Sequence, residues 1–364
     1  MKILFFIESL RSGGKERRLV ELIKGLKKYP DIECKLVLTR KDIHYKDIFS
    51  TGTKIHYIVR KHFKKDLRLF FLFFKIAKNY KPDIIHAWCN MAAIYALPVK
   101  ILFNIPLINS SITHSSPLKT FSKSWLYLKL TIPFTDIVIS NSRAGLVAHK
   151  LKENSKNLII HNGFNFDRIK DLSSKSEIRK KINVTTKYIV AMVASFSSYK
   201  DYSTYIKAAN KVLNNNKNIT FLCIGSGNNV SYKKMVKSMY RDNVRFLGIQ
   251  DNVESIMNIC DIGVLSTYTE GISNSIMEFM ALGKPVITTY NAGTKELLVD
   301  GESGIFVKSK SVDQLSSQII YLLKDQKLAL KLGMNAKQRI QKWFNLEKMV
   351  ICYKKIYQNL INTL

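Results

Sequence analysis

The chain repeats one pattern: a short, mainly apolar run followed by a longer stretch with helical spacing. Lys2–Ile7, Cys34–Leu38, Ile84–Ala87, Ile137–Ser140 and Leu158–His161 are such runs. The pattern returns at Tyr188–Val193, Ile219–Ile224, Val244–Leu247, Ile262–Leu265, Pro285–Thr288 and Ile305–Val307. A run without polar alternation suits a strand covered on both faces, and the stretch between two runs supplies the crossover that parallel strands require. The expected class is α/β with doubly wound parallel sheets. At 364 residues the chain is too long for one ordinary core, and the polar stretch from Arg168 to Thr186 interrupts the rhythm. Two Rossmann-like domains follow, over residues 1–180 and 181–343, with a helical segment over 344–364.

Lys and Arg number 58 against 27 Asp and Glu, a formal charge of +31. Such a field calls for an anionic partner, and nucleic acid, an anionic membrane face or a phosphate-bearing substrate all qualify. A lysine-rich genome would also leave part of this charge as plain solvated surface. The basic residues are dispersed, without recognition-helix patterns or aromatic platforms, so no nucleic acid is expected. Cys34, Cys89, Cys223, Cys260 and Cys352 form no C-x-x-C pair, which argues against zinc or a disulfide framework. The apolar start reaches Glu8 too soon for a secretory signal, and no run of about 18 apolar residues would cross a bilayer. The expectation is a cytoplasmic protein, soluble or peripherally bound.

In open parallel sheets the ligand sits beyond the carboxyl ends of the strands, where Gly-rich turns enter helices. Three turns qualify: Arg11–Lys15, Ile224–Asn228 and Glu270–Asn274. Glu270-Gly-Ile-Ser-Asn-Ser-Ile-Met-Glu278 joins two carboxylates to a loop that opens a helix. Gly271 is expected to permit an unusual turn, and Ser273 or Asn274 to cap the helix. The backbone amides of Ile272, Ser273, Asn274 and Ser275 would then form an anion site that could hold a diphosphate without metal. Carboxylates accept strong bonds from hydroxyls, so Glu278 suits a ribose diol and Glu270 a transferred sugar. The competing explanation is local: Ser275-Ile-Met-Glu278 also spells a capping box. In the first domain, Gly14 either lets backbone approach phosphates or simply makes a tight turn. His86, closing a strand, is either a polar group beside the ligand or merely the strand's polar end, and Asn162-Gly163 could be a plain turn dipeptide.

The spacing and its flanks resemble glycosyltransferase family 4, with its GT-B fold and E-x(7)-E signature. The flanks that carry the resemblance are Cys260–Ser266, Glu278–Ile287 and Asn291–Gly304, with further matches at Gly13-Gly14-Lys-Glu-Arg17, Pro82–His86, Ser140–Ser142, His161–Gly163 and Phe246–Gly248. The resemblance spans nearly the whole chain. It implies that Glu270 contacts the donor sugar, residues 272–275 the diphosphate and Glu278 the ribose. It places Lys200 on the donor phosphates, His114 in the active site near the sugar, Asn162 along the interdomain cleft, and Gly13, Arg17 and His86 towards the acceptor. The family usually carries an arginine where this chain has Ser195, which removes one of two phosphate-neutralising cations. It further implies retention of anomeric configuration, a nucleotide-sugar donor (UDP rather than GDP), a lipid-linked glycan acceptor in bacterial surface polysaccharide assembly, no metal or cofactor, and a last helix that crosses back to the first domain. Basic and bulky apolar residues at Arg60–Lys65, Leu67–Ala77 and Lys119–Lys129 suit an anionic membrane surface, though a buried amphipathic helix would read alike. A weakly active or inactive scaffold of the same fold, or a basic binding protein, is the rival reading.

Overall fold

The computed structural model describes residues 1–60 and 66–362. Its strands are β1 (Lys2–Ile7), β2 (Glu33–Leu38), β3 (Lys54–Tyr57), β4 (Ile84–Ala87), β5 (Leu107–Ile112), β6 (Ile137–Ser140), β7 (Asn157–Ile159), β8 (Tyr188–Val193), β9 (Ile219–Ile224), β10 (Val244–Gly248), β11 (Ile262–Leu265), β12 (Val286–Thr289) and β13 (Ile305–Val307). The helices are α1 (Gly14–Leu26), α2 (Arg68–Tyr80), α3 (Asn90–Phe103), α4 (Lys123–Thr131), α5 (Arg143–Ala148), α6 (Lys175–Lys181), α7 (Tyr202–Asn215), α8 (Val230–Lys234), α9 (Val253–Asn258), α10 (Asn274–Ala281), α11 (Thr294–Leu297), α12 (Val312–Lys324), α13 (Gln326–Trp343) and α14 (Leu346–Asn362). One sheet has seven strands in the order β3-β2-β1-β4-β5-β6-β7, the other six in the order β10-β9-β8-β11-β12-β13. All pairings in both ladders are parallel.

Apolar runs became strands for the expected reason. β1, for example, is fully buried from Ile3 to Ile7, and β9 from end to end. Two strands fall outside the runs read from the sequence. β5 carries Asn109, Ser110 and Ser111 in its middle yet is almost wholly buried, and β3, at the sheet edge, is only half-buried at Ile55 and His56.

The chain divides into two units, Met1–Gly163 with Leu346–Leu364, and Phe164–Asn345. The division falls between Gly163 and Phe164, not near residue 180. The stretch 164–181 belongs to the second core because Phe164 and Ile178 are buried there, and because Ser173 N–H donates to Ser255 Oγ at 3.1 Å. In the first unit α14 lies along α1, with Gly25 as the point of closest approach: a Cβ there would stand 2.3 Å from Val350 Cγ2. Tyr353 and Tyr357 of α14 complete a core that includes Phe5, Ile84 and Trp88. The second unit packs α7, α9, α10, α12 and α13 around its sheet.

Candidate functional site

In the second unit, two loops that leave the carboxyl ends of neighbouring strands are joined by backbone bonds. Asp201 N–H donates to Ser266 O at 2.9 Å and Tyr268 N–H to Tyr199 O at 2.9 Å, so Lys200 and Thr267 form an antiparallel bridge. Thr267 Oγ1 lies 2.9 Å from the carbonyls of both Tyr199 and Thr269, and its N–H donates to Thr289 Oγ1 at 3.1 Å. This stitching brings Lys200 Nζ onto Glu270 as an ion pair, with both side chains about five-sixths buried (16% and 15% exposed). At that burial a charge pair is screened far less than on the surface.

Behind Glu270 stands Gly293. A Cβ there would lie 2.0 Å from Glu270 O and 2.5 Å from Gly271 O, so only glycine admits the Glu270 loop at its observed position. This corrects one expectation: Gly271 is not among the glycines with positive φ, and the close approach that needs a missing side chain is made by Gly293 instead. Ser273 is the N-cap of α10, with Oγ accepting from Ile276 N–H at 3.5 Å. Ser275 is therefore inside the helix, and the capping box with Glu278 does not form. The first-turn amides of α10, including those of Asn274 and Ser275, follow directly on the Glu270 loop.

Glu278 is buried on α10 (8% exposed). Arg168 bonds its Oε1 through Nη2 at 2.6 Å, and the same Nη2 reaches Glu254 on α9. Arg168 is the residue that sequence reading missed. It opens the polar stretch read as the domain boundary, and nothing local marks it as the partner of a carboxylate on a distant helix.

The Gly-rich turn after β9 also packs tightly. Gly225 and Gly227 hold φ of +151° and +113°, and a Cβ on Gly225 would stand 2.0 Å from Ala194 O. Positive φ and backbone contact together explain glycine at this turn. Ser195 in the facing loop is exposed and donates to Ser197 Oγ at 3.3 Å.

The first-unit candidates follow strands of their own sheet. Gly13 is the N-cap of α1 in ordinary extended conformation, φ −166°, and the Tyr45 hydroxyl bonds both its N–H and its carbonyl at 3.0 Å. Gly14 opens the helix, and the Arg17 guanidinium lies over the Tyr45 ring, 4.2 Å from its centre. Asn162 is buried, its Oδ1 accepting from Arg18 Nη1 at 3.3 Å, and Arg18 lies over the Trp88 ring at 4.6 Å. His114 is exposed after β5, its ring 5.7 Å from that of His149. Burial first, then the charge of His114, lower the His149 pKa.

His86 is corrected. It has no exposed surface; Nδ1 meets Tyr357 Oη at 2.8 Å and Nε2 meets Ser110 Oγ at 2.7 Å. Burial, with Arg18 nearby, holds its pKa well below the usual histidine value. It is a core histidine under α14, satisfied on both nitrogens, and contacts no acceptor. The final helix, reaching it from far along the chain, is the physical reason.

Residues 146–339 match the family model described as glycosyl transferases group 1, and residues 12–168 match the model for glycosyltransferase family 4. The chain belongs to the group 1 glycosyl transferases. An uncharacterised glycosyltransferase of Methanocaldococcus jannaschii is 29% identical over 64% of this chain and 61% of its own length. The Campylobacter jejuni N,N'-diacetylbacillosaminyl-diphospho-undecaprenol alpha-1,3-N-acetylgalactosaminyltransferase is 26% identical over 81% of this chain and 82% of its own. Among solved structures, that of Anabaena HepE in complex with UDP-glucose superimposes with a TM-score of 0.85 at 20% identity, covering 99% of this chain and all of that one. The fold of this glycosyltransferase is thus GT-B, as the family resemblance implied. The second unit, with its Glu270 loop and Glu278, lies almost wholly within the group 1 match.

Proposed function

We propose that the protein is a retaining, metal-independent glycosyltransferase that moves a sugar from a UDP-sugar to a lipid-linked glycan acceptor at an anionic membrane face, in bacterial surface polysaccharide synthesis. The observation that carries this reading is the Lys200–Glu270 pair set at the start of α10. A donor that offers a diphosphate to Lys200 and hydroxyls to Glu270 would exchange one contact for two. The diphosphate would also meet the first-turn amides of residues 272–275, which carry the positive end of the helix dipole. Fixed amides and a lysine can stabilise a departing diphosphate without a metal, and the departing oxygen can take the acceptor's proton as the hydroxyl attacks from the same face. By the family pattern, His114 is assigned to the transferred sugar, Gly14 and Asn162 to the donor, and Gly13 and Arg17 to the acceptor side. A thermal-shift panel of UDP- and GDP-sugars identifies the donor, and transfer is expected to persist in excess chelator. Loss of transfer that added Mg²⁺ restores would overturn the metal-free route.

The acceptor proposal draws on the undecaprenol substrate named for the Campylobacter relative and on the surface of α2 to α4. There Leu67 (76% exposed), Phe71 (69%) and Phe121 (86%) stand out with Leu126 and Leu130, while Phe73 is in the core. Lys75, Lys78, Lys123 and Lys129 are exposed on the same helices, and Lys129 lies over the Trp125 ring at 6.0 Å. Apolar tips among lysines are the composition of an interface-seated surface. Lys61–Lys65 of the basic cluster lie outside the described residues, and among the described residues no helix is long and apolar enough to cross a membrane. Sedimentation with vesicles containing anionic phospholipid is expected at low salt, weakened by Phe71→Ser with Phe121→Ser. Equal recovery on neutral and anionic vesicles, or none on either, would refute the surface.

A further inference from the structure

We infer that Arg168 is a positioning residue for the nucleotide end of the donor: it holds and aims the Glu278 carboxylate so that this group can accept the ribose diol. The inference rests on the reading of Glu278 as the ribose acceptor. Arg168, Glu254 and Glu278 come from three separate elements, the turn at Phe166–Ile169, α9 and α10, and their side chains are only 9%, 9% and 10% exposed. The two carboxylates meet at one guanidinium nitrogen, and the cation between them offsets their mutual repulsion and fixes where each oxygen points. A Glu278 carboxylate held in this way can accept charge-assisted bonds from both hydroxyls of a diol.

The direction of the cation is fixed as well as its presence. The turn is closed by Arg168 N–H donating to Asn165 O at 3.2 Å and by Asp167 N–H donating to Asn165 Oδ1 at 3.1 Å. The guanidinium lies over the Phe164 ring, 5.1 Å from its centre. Phe164 is itself tied to the end of α13, its N–H donating to Phe344 O at 2.7 Å. Ser173 and Asn252 link the following chain to α9, with Asn252 Nδ2 3.2 Å from Ser173 Oγ. Glu254 and Glu278 thus share the Nη2 that the turn and the Phe164 ring hold in place.

The test compares isothermal-titration dissociation constants for UDP and GDP and, for whichever nucleotide the wild type binds, its 2′-deoxy form. The proteins are the wild type, Glu278→Gln, Arg168→Gln and Arg168→Lys, each checked for cooperative thermal unfolding. A charge-assisted bond to the ribose predicts a wild-type preference of about tenfold or more for the ribonucleotide. Glu278→Gln is expected to remove most of that preference. Arg168→Gln is expected to remove it to a similar degree, while affinity for the deoxy form changes by less than about threefold, because only the diol contact depends on Glu278 being held. Arg168→Lys supplies charge without the planar fork and is expected to keep roughly half of the preference on a logarithmic scale. If the two nucleotides weaken equally in Arg168→Gln with the preference intact, Arg168 is structural and the inference falls. Should Arg168→Gln not fold, an undiminished preference in Arg168→Lys overturns it equally. A wild type without preference, or Glu278→Gln retaining it, instead removes the ribose reading itself, which separates that failure from this one.

Discussion

Glu270→Ala is expected to lower kcat/KM on the order of 10²- to 10³-fold, the loss of two charge-assisted bonds at about 1.5–3 kcal/mol each, part of it offset by water entering the site. The magnitude follows from position. Glu270 is five-sixths buried and faces Lys200, so its truncation removes the hydroxyl acceptor and leaves Lys200 without the carboxylate that organises it. Glu270→Gln separates the two effects: it keeps the shape and an acceptor oxygen but not the charge, and should fall between wild type and alanine. Steady-state transfer with the identified donor measures both variants. Wild-type activity in Glu270→Ala would end the assignment of the loop as the donor site.

Gly293→Ala should disable the same site without touching any group that meets the donor. Its φ of −78° is ordinary for any residue, so the effect is steric: the new Cβ would stand 2.0 Å from Glu270 O and 2.5 Å from Gly271 O. Both neighbours are backbone and cannot swing aside, so the Glu270 loop must move. Overpacking of this kind costs about 1–3 kcal/mol of stability. A displacement near 1 Å at a reacting centre costs on the order of 10²-fold in rate. Gly301→Ala is the control. Gly301 has φ +70° and open space where a Cβ would go, so alanine there should cost only the left-handed penalty of roughly 1–2 kcal/mol and leave transfer intact. Thermal unfolding and kinetics on both variants test the contrast. Full activity in Gly293→Ala would mean that the loop yields without consequence.

Both predictions concern a segment that reads clearly in the sequence because its chemistry is contiguous. Glu270, the amides that follow and Glu278 lie on one loop and one helix, so spacing alone orders them. Lys200 was reached only through family resemblance, since its placement depends on the bridge to Thr267. Gly293 and Gly271 exchange roles for a similar reason. A glycine that permits close approach is marked by what it faces, and sequence adjacency pointed to the wrong one.

The strands divide along the same line. β1, β8 and β9 are legible as nearly unbroken apolar runs because both sheet faces are covered by helices, a demand that every buried parallel strand meets by itself. β5 escapes because it buries polar residues, of which Ser110 is made tolerable by a partner elsewhere, His86. The class of fold and the two-domain plan were therefore determined by the sequence alone, through periodicity, and local spacing alone set the order of Glu270, the helix start and Glu278. What only tertiary structure decided are pairings across great sequence distance: Arg168 with Glu278, 110 residues apart, and His86 with Tyr357, 271 apart. A buried polar group takes its role from the partner that satisfies it. For Arg168 and His86 that partner is supplied by an element whose approach no local pattern encodes.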